Sequence, residues 1–395
     1  MKKRLNIAIV TNNYTPYSGG VVSSINSFVN ELHKKGHKAF IITLDFLGKE
    51  HRDPYYIIRI PSKYRFMYKN NHMALPIYMT KKLEKIIKLL KPDIIHAQHP
   101  FFIGKSALNI ARKLNIPITF TYHTIYERYL HYLPIPQFIT KPIVKKIVLS
   151  FCKKVDHIIV PSTFIRDYLL QNNIETKTTK MPSGILPIFL KRDILNIPKS
   201  QYLDNQNAAY FNLLVVSRFV PEKNILFLLR LFLKLIKQNP EKNFKFTLAG
   251  YGSEYENLKK YGYKKLRIPK HLLEFIVRPP KQRLVDLYCQ SDAFLFSSTS
   301  DTQGLVIAEA MGCGCPSIAL DGPGQRDIIK NGYNGFLCYS DDEIIDKILL
   351  LQQDKKLHEN LRQSALQTAM QYDPQLTTHQ LISVYQKLIS KRVTL

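Results

Sequence analysis

Short apolar runs of β-forming residues alternate with longer helical patterns along nearly the whole chain. In the first half these runs are Asn6–Val10, Ala39–Leu44, Ile57–Ile60, Ile94–Ala97, Ile118–Tyr122 and His157–Val160. In the second half they are Phe211–Val216, Phe244–Ala249, Glu274–Val277, Ala293–Ser297, Pro316–Ala319 and Gly335–Cys338. This alternation predicts parallel sheets with helices on both faces, and its repetition predicts two separate, doubly wound α/β domains.

The boundary between the two halves falls in a stretch of little periodicity that contains prolines and a polar run. We predict an N-terminal domain over residues 1–185, a linker over 186–209, a C-terminal domain over 210–373 and a C-terminal helix over 374–395. In open α/β sheets, ligands bind beyond the carboxyl ends of the strands. Two such domains facing each other would form a cleft, and we expect the active site there.

Composition limits the class of protein. With 395 residues and 45% hydrophobic content, the chain is long enough to fill two cores. No stretch approaches the roughly 18 uninterrupted apolar residues of a membrane span. The basic start is followed by a short apolar run that indicates a first strand and not a signal peptide. The five cysteines are irregularly spaced, which favours buried free thiols in a reducing cytoplasm.

The net charge of +27 is concentrated in the first half. Residues 1–185 carry 29 Lys and Arg against 10 Asp and Glu, a net charge of +19, and the remainder carries +8. Such a surface favours nucleic acid, an anionic membrane or an acidic substrate. A solvated lysine-rich surface that only reflects residue usage is the alternative. Because no RNA- or DNA-binding motif is recognisable, we do not expect nucleic acid to be a partner.

Two acids eight positions apart, Asp301 and Glu309, flank the start of a predicted helix at Leu305. The first N–H groups of a helix are free to bind phosphate. A carboxylate one turn further along can hydrogen-bond paired sugar hydroxyls. The combination suits a nucleotide diphosphate sugar, although an ordinary capped helix with a solvated glutamate fits the same pattern.

Two cations follow the first strand of the C-terminal half. Arg218 comes directly after that strand, and Lys223 lies five residues later, near the next predicted helix. Two cations from one loop can neutralise a diphosphate, and arginine adds bidentate geometry. They could also stabilise a departing diphosphate, which gains negative charge in the transition state. Arg278 ends another predicted strand, where its backbone could meet a nucleobase edge.

In the N-terminal half, Gly19 and Gly20 lie between the first strand and its helix, where they permit close backbone approach. A plain turn explains them as well as a phosphate or sugar loop does. His123 follows a predicted strand, with Glu127 one turn later. An imidazole at a strand end can hydrogen-bond a sugar hydroxyl or stabilise charge, although a lone histidine is more often structural.

The motif residues, in chain order, are Gly19, Gly20, His123, Arg218, Lys223, Asp301 and Glu309. In order and spacing this set resembles family 4 retaining glycosyltransferases, which have the GT-B fold of two facing Rossmann-like domains. The resemblance covers nearly the whole chain. The family usually has glutamate at the first acidic position, and Asp301 is one methylene shorter.

The resemblance implies roles for these residues. Arg218 and Lys223 would bind the donor diphosphate, and Glu309 would hold the ribose hydroxyls. Asp301 would lie near the transferred sugar, and His123 would contact that sugar from the opposite domain. Further donor contacts would come from the backbone of Gln303, Gly304 and Leu305. Retaining members are thought to react on one face of the sugar, so the protein's task is positioning and charge stabilisation.

Within the family, a second set of residues looks like the diacylglycerol glucosyltransferase group. That set comprises Tyr122, His123, Thr124, Tyr126, Glu127, His131 and Tyr132, with the run Thr302–Leu305. This likeness implies UDP-glucose as the donor and a membrane lipid as the acceptor, with Tyr126 and Glu127 on the acceptor side. It also implies a peripheral enzyme on the inner face of the cell membrane. No residue cluster has metal-ligand spacing, so we expect no obligatory metal or cofactor.

Other functions stay open. As a glycosyltransferase of this family, the protein could instead transfer mannose to phosphatidylinositol or extend a lipopolysaccharide or other glycan. A catalytically silent protein that binds nucleotide sugars or nucleic acid is the non-enzymatic alternative. Two lysine-rich amphipathic stretches, Lys81–Lys91 and Ile143–Lys154, are candidates for a membrane-facing helix. Each could equally pack its apolar stripe on a sheet and leave its lysines in water.

Overall fold

The computed structural model describes residues 4–17, 19–46, 53–68, 71–75, 78–128, 136–191 and 209–393. The chain divides into two compact units, here called the first unit and the second unit. The first unit is Met1–Gly184 with Pro374–Leu395, and the second is Ile185–Asp373. Most of the predicted linker, residues 192–208, lies outside the described part. Among the described helices, none has the length and apolar character needed to cross a bilayer.

The first unit contains a seven-stranded parallel sheet in the order β3-β2-β1-β6-β7-β8-β9, and a separate antiparallel hairpin, β4-β5. Its strands are β1 (Asn6–Val10), β2 (Lys38–Leu44), β3 (Ile57–Ile60), β4 (Tyr64–Tyr68), β5 (Asn71–Leu75), β6 (Ile94–Ala97), β7 (Ile118–Thr121), β8 (His157–Val160) and β9 (Thr178–Lys180). Its helices are α1 (Gly20–Lys34), α2 (Met79–Leu90), α3 (Ile103–Lys113), α4 (Gln137–Cys152), α5 (Thr163–Gln171) and, after the second unit, α12 (Pro374–Val393).

The second unit contains a six-stranded parallel sheet in the order β12-β11-β10-β13-β14-β15. Its strands are β10 (Phe211–Arg218), β11 (Phe244–Tyr251), β12 (Leu273–Val277), β13 (Ala293–Phe296), β14 (Ser317–Leu320) and β15 (Gly335–Cys338). Its helices are α6 (Ile225–Gln238), α7 (Tyr255–Lys260), α8 (Lys281–Gln290), α9 (Leu305–Gly312), α10 (Asp341–Gln353) and α11 (Lys355–Ala369). All five cysteines are buried free thiols.

Each sheet is covered on both faces, which explains why most of its strands are largely apolar. In the first unit, one core lies under α3 and α4 and the other under α1 and α12. In the second unit, α8 and α9 cover one face, and α6 and α10 cover the other. The predicted α/β class with two doubly wound parallel sheets is confirmed.

All twelve predicted strands are present. The sequence did not predict β9 or the β4-β5 hairpin. β9 has only three residues, none of them apolar, so it gives no hydrophobic signal. The hairpin strands, YRFMY and NHMAL, mix polar and apolar residues and contain no continuous apolar run. Neither element therefore carries the apolar signal that predicts the other strands.

Candidate functional site

Three charged side chains come together beyond the carboxyl end of β10 in the second unit. Arg218 is the last residue of this strand, and Lys223 ends a single 3-10 turn just after it. The Lys223 ammonium group donates hydrogen bonds to both Asp301 carboxylate oxygens, at 2.7 Å and 2.5 Å. The Arg218 guanidinium lies 3.4 Å from a Glu222 carboxylate oxygen. The sequence-predicted cations therefore share one site with the first predicted acid.

Two serines after β13 hold the cationic loop in place. The Ser297 hydroxyl donates to the Lys223 carbonyl oxygen at 2.9 Å, and the Ser298 hydroxyl donates to the Glu222 carbonyl oxygen at 3.2 Å. From the next loop, the fully buried Gln325 side chain donates to the Ser298 carbonyl oxygen at 2.6 Å. These contacts join loops that are far apart in sequence, so Lys223 is held by more than its ion pair.

The charge of Asp301 is set by competing effects. Burial alone would raise the pKa of Asp301, but the charge and hydrogen bonds of Lys223 outweigh burial. A hydrogen bond from Ser298 and the charge of Arg218 act in the same direction, and the pKa of Asp301 lies below its usual value. Asp301 is thus ionised at neutral pH. The Lys223 and Asp301 side chains retain 13% and 22% of their exposure, so both can be reached by a ligand.

Helix α9 begins immediately after this loop. Gly304 precedes it with φ of +71°, a left-handed conformation that residues with a Cβ adopt only under strain. The first N–H groups of α9, at Leu305 and Val306, therefore lie at the end of the loop that carries Asp301. Gln303 is buried in the same loop. A helix start beside two cations is a suitable place for a phosphate group.

Glu309 belongs to a second group, one turn into α9, where it lies beside Tyr288 of α8. The buried Tyr288 hydroxyl lies 3.4 Å from a Glu309 carboxylate oxygen. Burial raises the pKa of Glu309 to about 7, while the Tyr288 hydrogen bond and the charge of Lys281 act in the opposite direction. Glu309 therefore changes charge close to neutral pH.

Arg278 directly follows β12, at the same edge of the sheet. Its backbone N–H donates to the Gly250 carbonyl oxygen at 2.9 Å, and its exposed guanidinium lies 5.2 Å from the centre of the Tyr251 ring. A Cβ atom on Gly250 would lie 1.8 Å from the Ser217 carbonyl oxygen. Gly250 is therefore required for packing between β10 and β11, whatever may bind nearby.

In the first unit, His123 lies just beyond the carboxyl end of β7. Its Nε2 atom is 2.6 Å from the Gln98 side-chain oxygen, which follows the neighbouring strand β6. Burial lowers the pKa of His123 to about 3, with further contributions from His99 and His96. His123 is thus a neutral imidazole at physiological pH and acts through hydrogen bonds.

The glycine pair lies at the start of α1, with Gly19 at the N-cap position and Gly20 as the first helical residue. Apart from its chain neighbours and the nearby backbone of its own helix, no described heavy atom lies within 4 Å of the position that a Cβ atom on Gly20 would occupy. Packing within the protein therefore does not require glycine at this position. The open space is what a backbone contact to a ligand would need.

Tyr126 and Glu127 form a 3-10 turn after His123, with Arg128. The Tyr126 ring packs edge-to-face on Phe101, and the Tyr168 hydroxyl donates to Glu127. The Tyr126 hydroxyl and the second carboxylate oxygen of Glu127 are buried without a hydrogen-bond partner among the described residues. His131 and Tyr132 lie outside the described residues.

The two lysine-rich stretches differ in the structure. In α2 the apolar residues Leu83 and Ile87 are buried in the core, so this helix is an ordinary amphipathic cover of the sheet. In α4 a stripe of apolar side chains is exposed instead. Its members are Phe138 (79% exposed), Ile139 (45%), Ile143 (53%) and Ile147 (44%). Exposed lysines flank the stripe, which we call the α4 stripe.

Sequence reasoning missed the residues that support the site, chiefly Ser297, Ser298, Gln325, Tyr288 and Gln98. They carry no motif, because each acts on a partner brought close only by the fold. The turn signal Gly322-Pro323-Gly324 before Gln325 marked a loop but not its contact. Within the described residues, no three His, Cys, Asp or Glu side chains are grouped so that they could hold a metal ion.

Comparison with protein families places two models end to end on the chain. The model for Glycosyltransferase Family 4 matches residues 18–186, and that for Glycosyl transferases group 1 matches residues 204–368. The second match contains the whole Arg218, Lys223, Asp301 and Glu309 arrangement.

Full-length relatives agree with these matches. The chain is 33% identical to the alpha-monoglucosyldiacylglycerol synthase of Streptococcus pneumoniae, over 87% of this chain and 78% of that protein. It is 28% identical to the Acholeplasma laidlawii enzyme of the same name, over 98% of both chains.

Solved structures show the same fold. HepE of Anabaena, in complex with UDP, superposes with a TM-score of 0.74 at 16% identity, over 97% of this chain and 100% of that one. The pneumococcal O-GlcNAc transferase GtfA, in complex with UDP and GlcNAc, gives a TM-score of 0.70 at 15% identity, over 98% and 99%. Motifs, fold and relatives agree: the chain belongs to glycosyltransferase family 4 and has the GT-B fold.

Proposed function

We propose that the protein transfers glucose from UDP-glucose to the hydroxyl group of a diacylglycerol, with retention of configuration at the sugar carbon. The observation that carries this proposal is the Arg218, Lys223 and Asp301 group beside the first turn of α9. Two relatives named alpha-monoglucosyldiacylglycerol synthase support the acceptor and the sugar. Structural relatives solved with UDP support the nucleotide.

In the second unit, Arg218 and Lys223 bind the donor diphosphate together with the N–H groups at the start of α9. The backbone at Gln303, Gly304 and Leu305 contacts sugar and phosphate, and Asp301 lies near the transferred sugar. Glu309 in its ionised form accepts hydrogen bonds from the two ribose hydroxyls, and the backbone of Arg278 meets the base. Lys223 is already held by Asp301 and the loop, so little ordering is needed when the donor binds.

The reaction breaks the bond between the sugar carbon and the diphosphate oxygen and forms a bond from that carbon to the acceptor oxygen, on the same face. The departing phosphate oxygen takes the proton of the acceptor hydroxyl. Negative charge grows on the diphosphate as it leaves, and Arg218 and Lys223 stabilise it. Because these side chains supply the positive charge, the proposal includes no obligatory metal.

In the first unit, His123 and the open backbone at Gly19 and Gly20 contact sugar hydroxyls. Tyr126 and Glu127 form the acceptor side, and their unpartnered buried oxygens support this assignment. A buried polar group without a partner costs about 1–3 kcal/mol. The single hydroxyl group of the diacylglycerol, its ester carbonyl oxygens, or ordered water would remove part of that cost.

The acceptor is a lipid, so the enzyme must work at a membrane surface. We propose a peripheral enzyme on the anionic inner face of the cell membrane, attached through the basic first unit. The α4 stripe supports this, because exposed isoleucines flanked by lysines match the interface of an anionic bilayer. Helix α4 also packs against the 3-10 turn that carries Tyr126 and Glu127, so a lipid bound there would be close to the acceptor side.

The test is a transfer assay with UDP-, GDP- and ADP-sugars and diacylglycerol in mixed micelles, alongside thermal-shift measurements with the same donors. We expect UDP-glucose to raise the melting temperature most and to give a glucosylated lipid with the α configuration. Lys223→Ala and Glu309→Ala should lose most of the transfer, and the exposed Lys355→Ala should keep it. Full activity in both site variants would refute the donor assignment, and transfer to no diacylglycerol would refute the acceptor.

A further inference from the structure

Phe102 has an unusual backbone conformation in the first unit. It lies beyond the carboxyl end of β6, at the N-cap position of α3, with φ of +45° and ψ of −103°. These angles are close to those of the first central residue of a type II′ turn, a position where glycine predominates. The Gly104 N–H donates to the Phe101 carbonyl oxygen at 2.9 Å and closes this turn. A residue with a large side chain is strained in this conformation.

The N-cap position also disfavours phenylalanine. Serine, threonine, asparagine and aspartate are preferred there, because their side chains accept a hydrogen bond from the start of the helix. Phe102 cannot make this bond, and Asn12 makes one in its place from the loop after β1. The Asn12 side-chain oxygen accepts from the Ile103 N–H at 3.2 Å, and its Nδ2 donates to the Phe101 carbonyl oxygen at 3.2 Å. One side chain from another loop therefore holds both residues that flank Phe102.

The Phe102 ring contributes little to the core. It is 59% exposed, whereas the neighbouring Phe101 ring is partly buried and packs edge-to-face on Tyr126, with 5.0 Å between the ring centres. Packing within the protein therefore does not account for a strained phenylalanine at this turn. Residues in strained conformations persist where the surrounding structure holds them, and they are concentrated at sites that bind ligands.

The position of the ring suits an apolar part of the acceptor. In the sheet β6 lies between β1 and β7, so the Phe102 turn lies between the loop of the glycine pair and the loop of Tyr126. These two loops carry the residues proposed to contact the sugar and the acceptor. A diacylglycerol has two apolar acyl chains, and an exposed aromatic ring offers a large contact area to such a chain.

We propose that Phe102 is a specificity-determining residue for the acceptor, whose ring contacts an acyl chain of the diacylglycerol. This rests on the proposed function, which gives a diacylglycerol as the acceptor. The turn held by Asn12 keeps the ring exposed before the lipid arrives, so less ordering is needed in the complex. The ring takes no part in breaking the bond between the sugar and the diphosphate.

Three substitutions separate this role from packing. Phe102→Leu keeps an apolar side chain, whereas Phe102→Ala and Phe102→Gly remove it. Alanine keeps a Cβ atom at positive φ and glycine does not, so Phe102→Gly should melt about 2–4 °C above Phe102→Ala. An equal or lower melting temperature for Phe102→Gly would show that the backbone is not strained, and the proposal would be wrong. Tyr55→Ala is the matched control, because Tyr55 is an 84% exposed aromatic residue before β3, at the amino edge of the sheet.

The first kinetic readout is transfer to diacylglycerols with acyl chains of different lengths, in mixed micelles of fixed composition. We expect the KM for a long-chain diacylglycerol to rise about tenfold in Phe102→Ala and Phe102→Gly, and by at most about threefold in Phe102→Leu. The wild type and Tyr55→Ala should prefer long chains to short ones, and the alanine and glycine variants should lose most of this preference. An unchanged KM and an unchanged preference in those two variants would overturn the proposal.

The second kinetic readout concerns the donor in the absence of lipid. The affinity for UDP-glucose and the rate of its hydrolysis should match the wild type in all three Phe102 variants, because the ring contacts only the acceptor. Weaker binding of UDP-glucose would mean that the ring contacts the sugar, and the acyl-chain contact would be refuted. If the wild type glucosylates no diacylglycerol, the proposed function fails and this contact fails with it. Wild-type transfer with unaltered variants would refute the contact alone.

Discussion

Glu309 is the residue whose charge state most directly tests its proposed contact with ribose. Burial raises the pKa of Glu309 to about 7, so the carboxyl is largely protonated at pH 6 and largely ionised at pH 8. Only the carboxylate can accept hydrogen bonds from both ribose hydroxyls. We predict that the affinity for UDP-glucose falls as the pH drops below 7, approaching tenfold per unit.

The measurement is calorimetric titration with UDP-glucose, whose two phosphates carry no group that titrates in this range. Glu309→Gln is the control, and it should bind more weakly at pH 8 with a flat profile. The raised pKa also means that the folded state binds a proton more tightly than the unfolded chain. The contribution of Glu309 to the stability of the ligand-free protein should therefore shrink as the pH rises from about 5 through 7, so the free energy of unfolding of the wild type should fall relative to that of Glu309→Gln over this range.

A second prediction for a single residue concerns Asp301, because its carboxylate neutralises Lys223, the lysine proposed to bind the diphosphate. The Asp301 carboxylate contacts the Lys223 ammonium group through both oxygens. Asp301→Asn removes this negative charge and keeps the side-chain shape. We predict that UDP binds more tightly to Asp301→Asn, by about 3- to 10-fold for a partly exposed pair, while sugar transfer slows. Isothermal titration with UDP measures the affinity.

The control for this prediction is Asp341→Asn, which neutralises one of the two carboxylates paired with Lys234, the one at 2.9 Å, elsewhere in the second unit. It should leave UDP affinity unchanged. Weaker UDP binding in Asp301→Asn would mean that Asp301 chiefly orients Lys223, and the prediction would be wrong.

The sequence alone predicted the charged residues of the site but not the residues that hold them in place through hydrogen bonds. Arg218, Lys223 and Asp301 follow strands, and the carboxyl ends of parallel strands meet at one edge of a sheet. Their convergence could therefore be expected from strand positions. Tyr288 and Gln325 could not, because a buried tyrosine and a loop glutamine show no periodicity that identifies their partners. Lys223 and Asp301 are 78 residues apart, and only the fold shows that they form an ion pair.

At the level of elements, α12 could be predicted as a helix but not assigned to a unit. Its amphipathic pattern indicates that one face is buried and does not identify what covers that face. In the structure it packs on α1 of the first unit, and Leu381 and Tyr385 lie in the same core as Phe28 and Leu32. The chain thus returns to its first unit after completing the second.

This placement predicts that Tyr385 stabilises the first unit through His96. The Tyr385 hydroxyl is 2.6 Å from His96 Nδ1, and both side chains are almost fully buried. Tyr385→Phe leaves a buried nitrogen without its partner, and we expect a loss of about 1–3 kcal/mol in the free energy of unfolding. Urea denaturation measures it. Tyr333→Phe, which alters an exposed hydroxyl, is the control and should change stability by less than about 0.5 kcal/mol.

At the scale of the whole molecule, the division into units concentrates the positive charge. With the C-terminal helix included, the first unit carries 32 Lys and Arg against 10 Asp and Glu, which is +22 of the net +27. Each lysine near an anionic bilayer contributes roughly 1 kcal/mol, and salt screens this attraction. Burial of the α4 stripe in the bilayer would add a contribution to the binding free energy that salt does not screen, because the hydrophobic effect does not depend on charge.

These two contributions predict different salt responses. We expect the protein to sediment with liposomes rich in anionic lipid at low salt, to bind neutral liposomes poorly, and to lose much of its binding at high salt. Ile143→Asp combined with Ile147→Asp should weaken binding at both salt concentrations, by about tenfold or more, since each buried isoleucine is worth up to about 1.5–3 kcal/mol.

Leu89→Asp is the matched control, because Leu89 is 82% exposed on α2, whose apolar stripe is buried. It should bind liposomes like the wild type, apart from the small effect of one added charge. Equal recovery with neutral and anionic liposomes would exclude attachment through the basic first unit. Equal loss in the Leu89→Asp and α4 variants would mean that overall charge, and not the α4 stripe, determines how the enzyme meets its lipid.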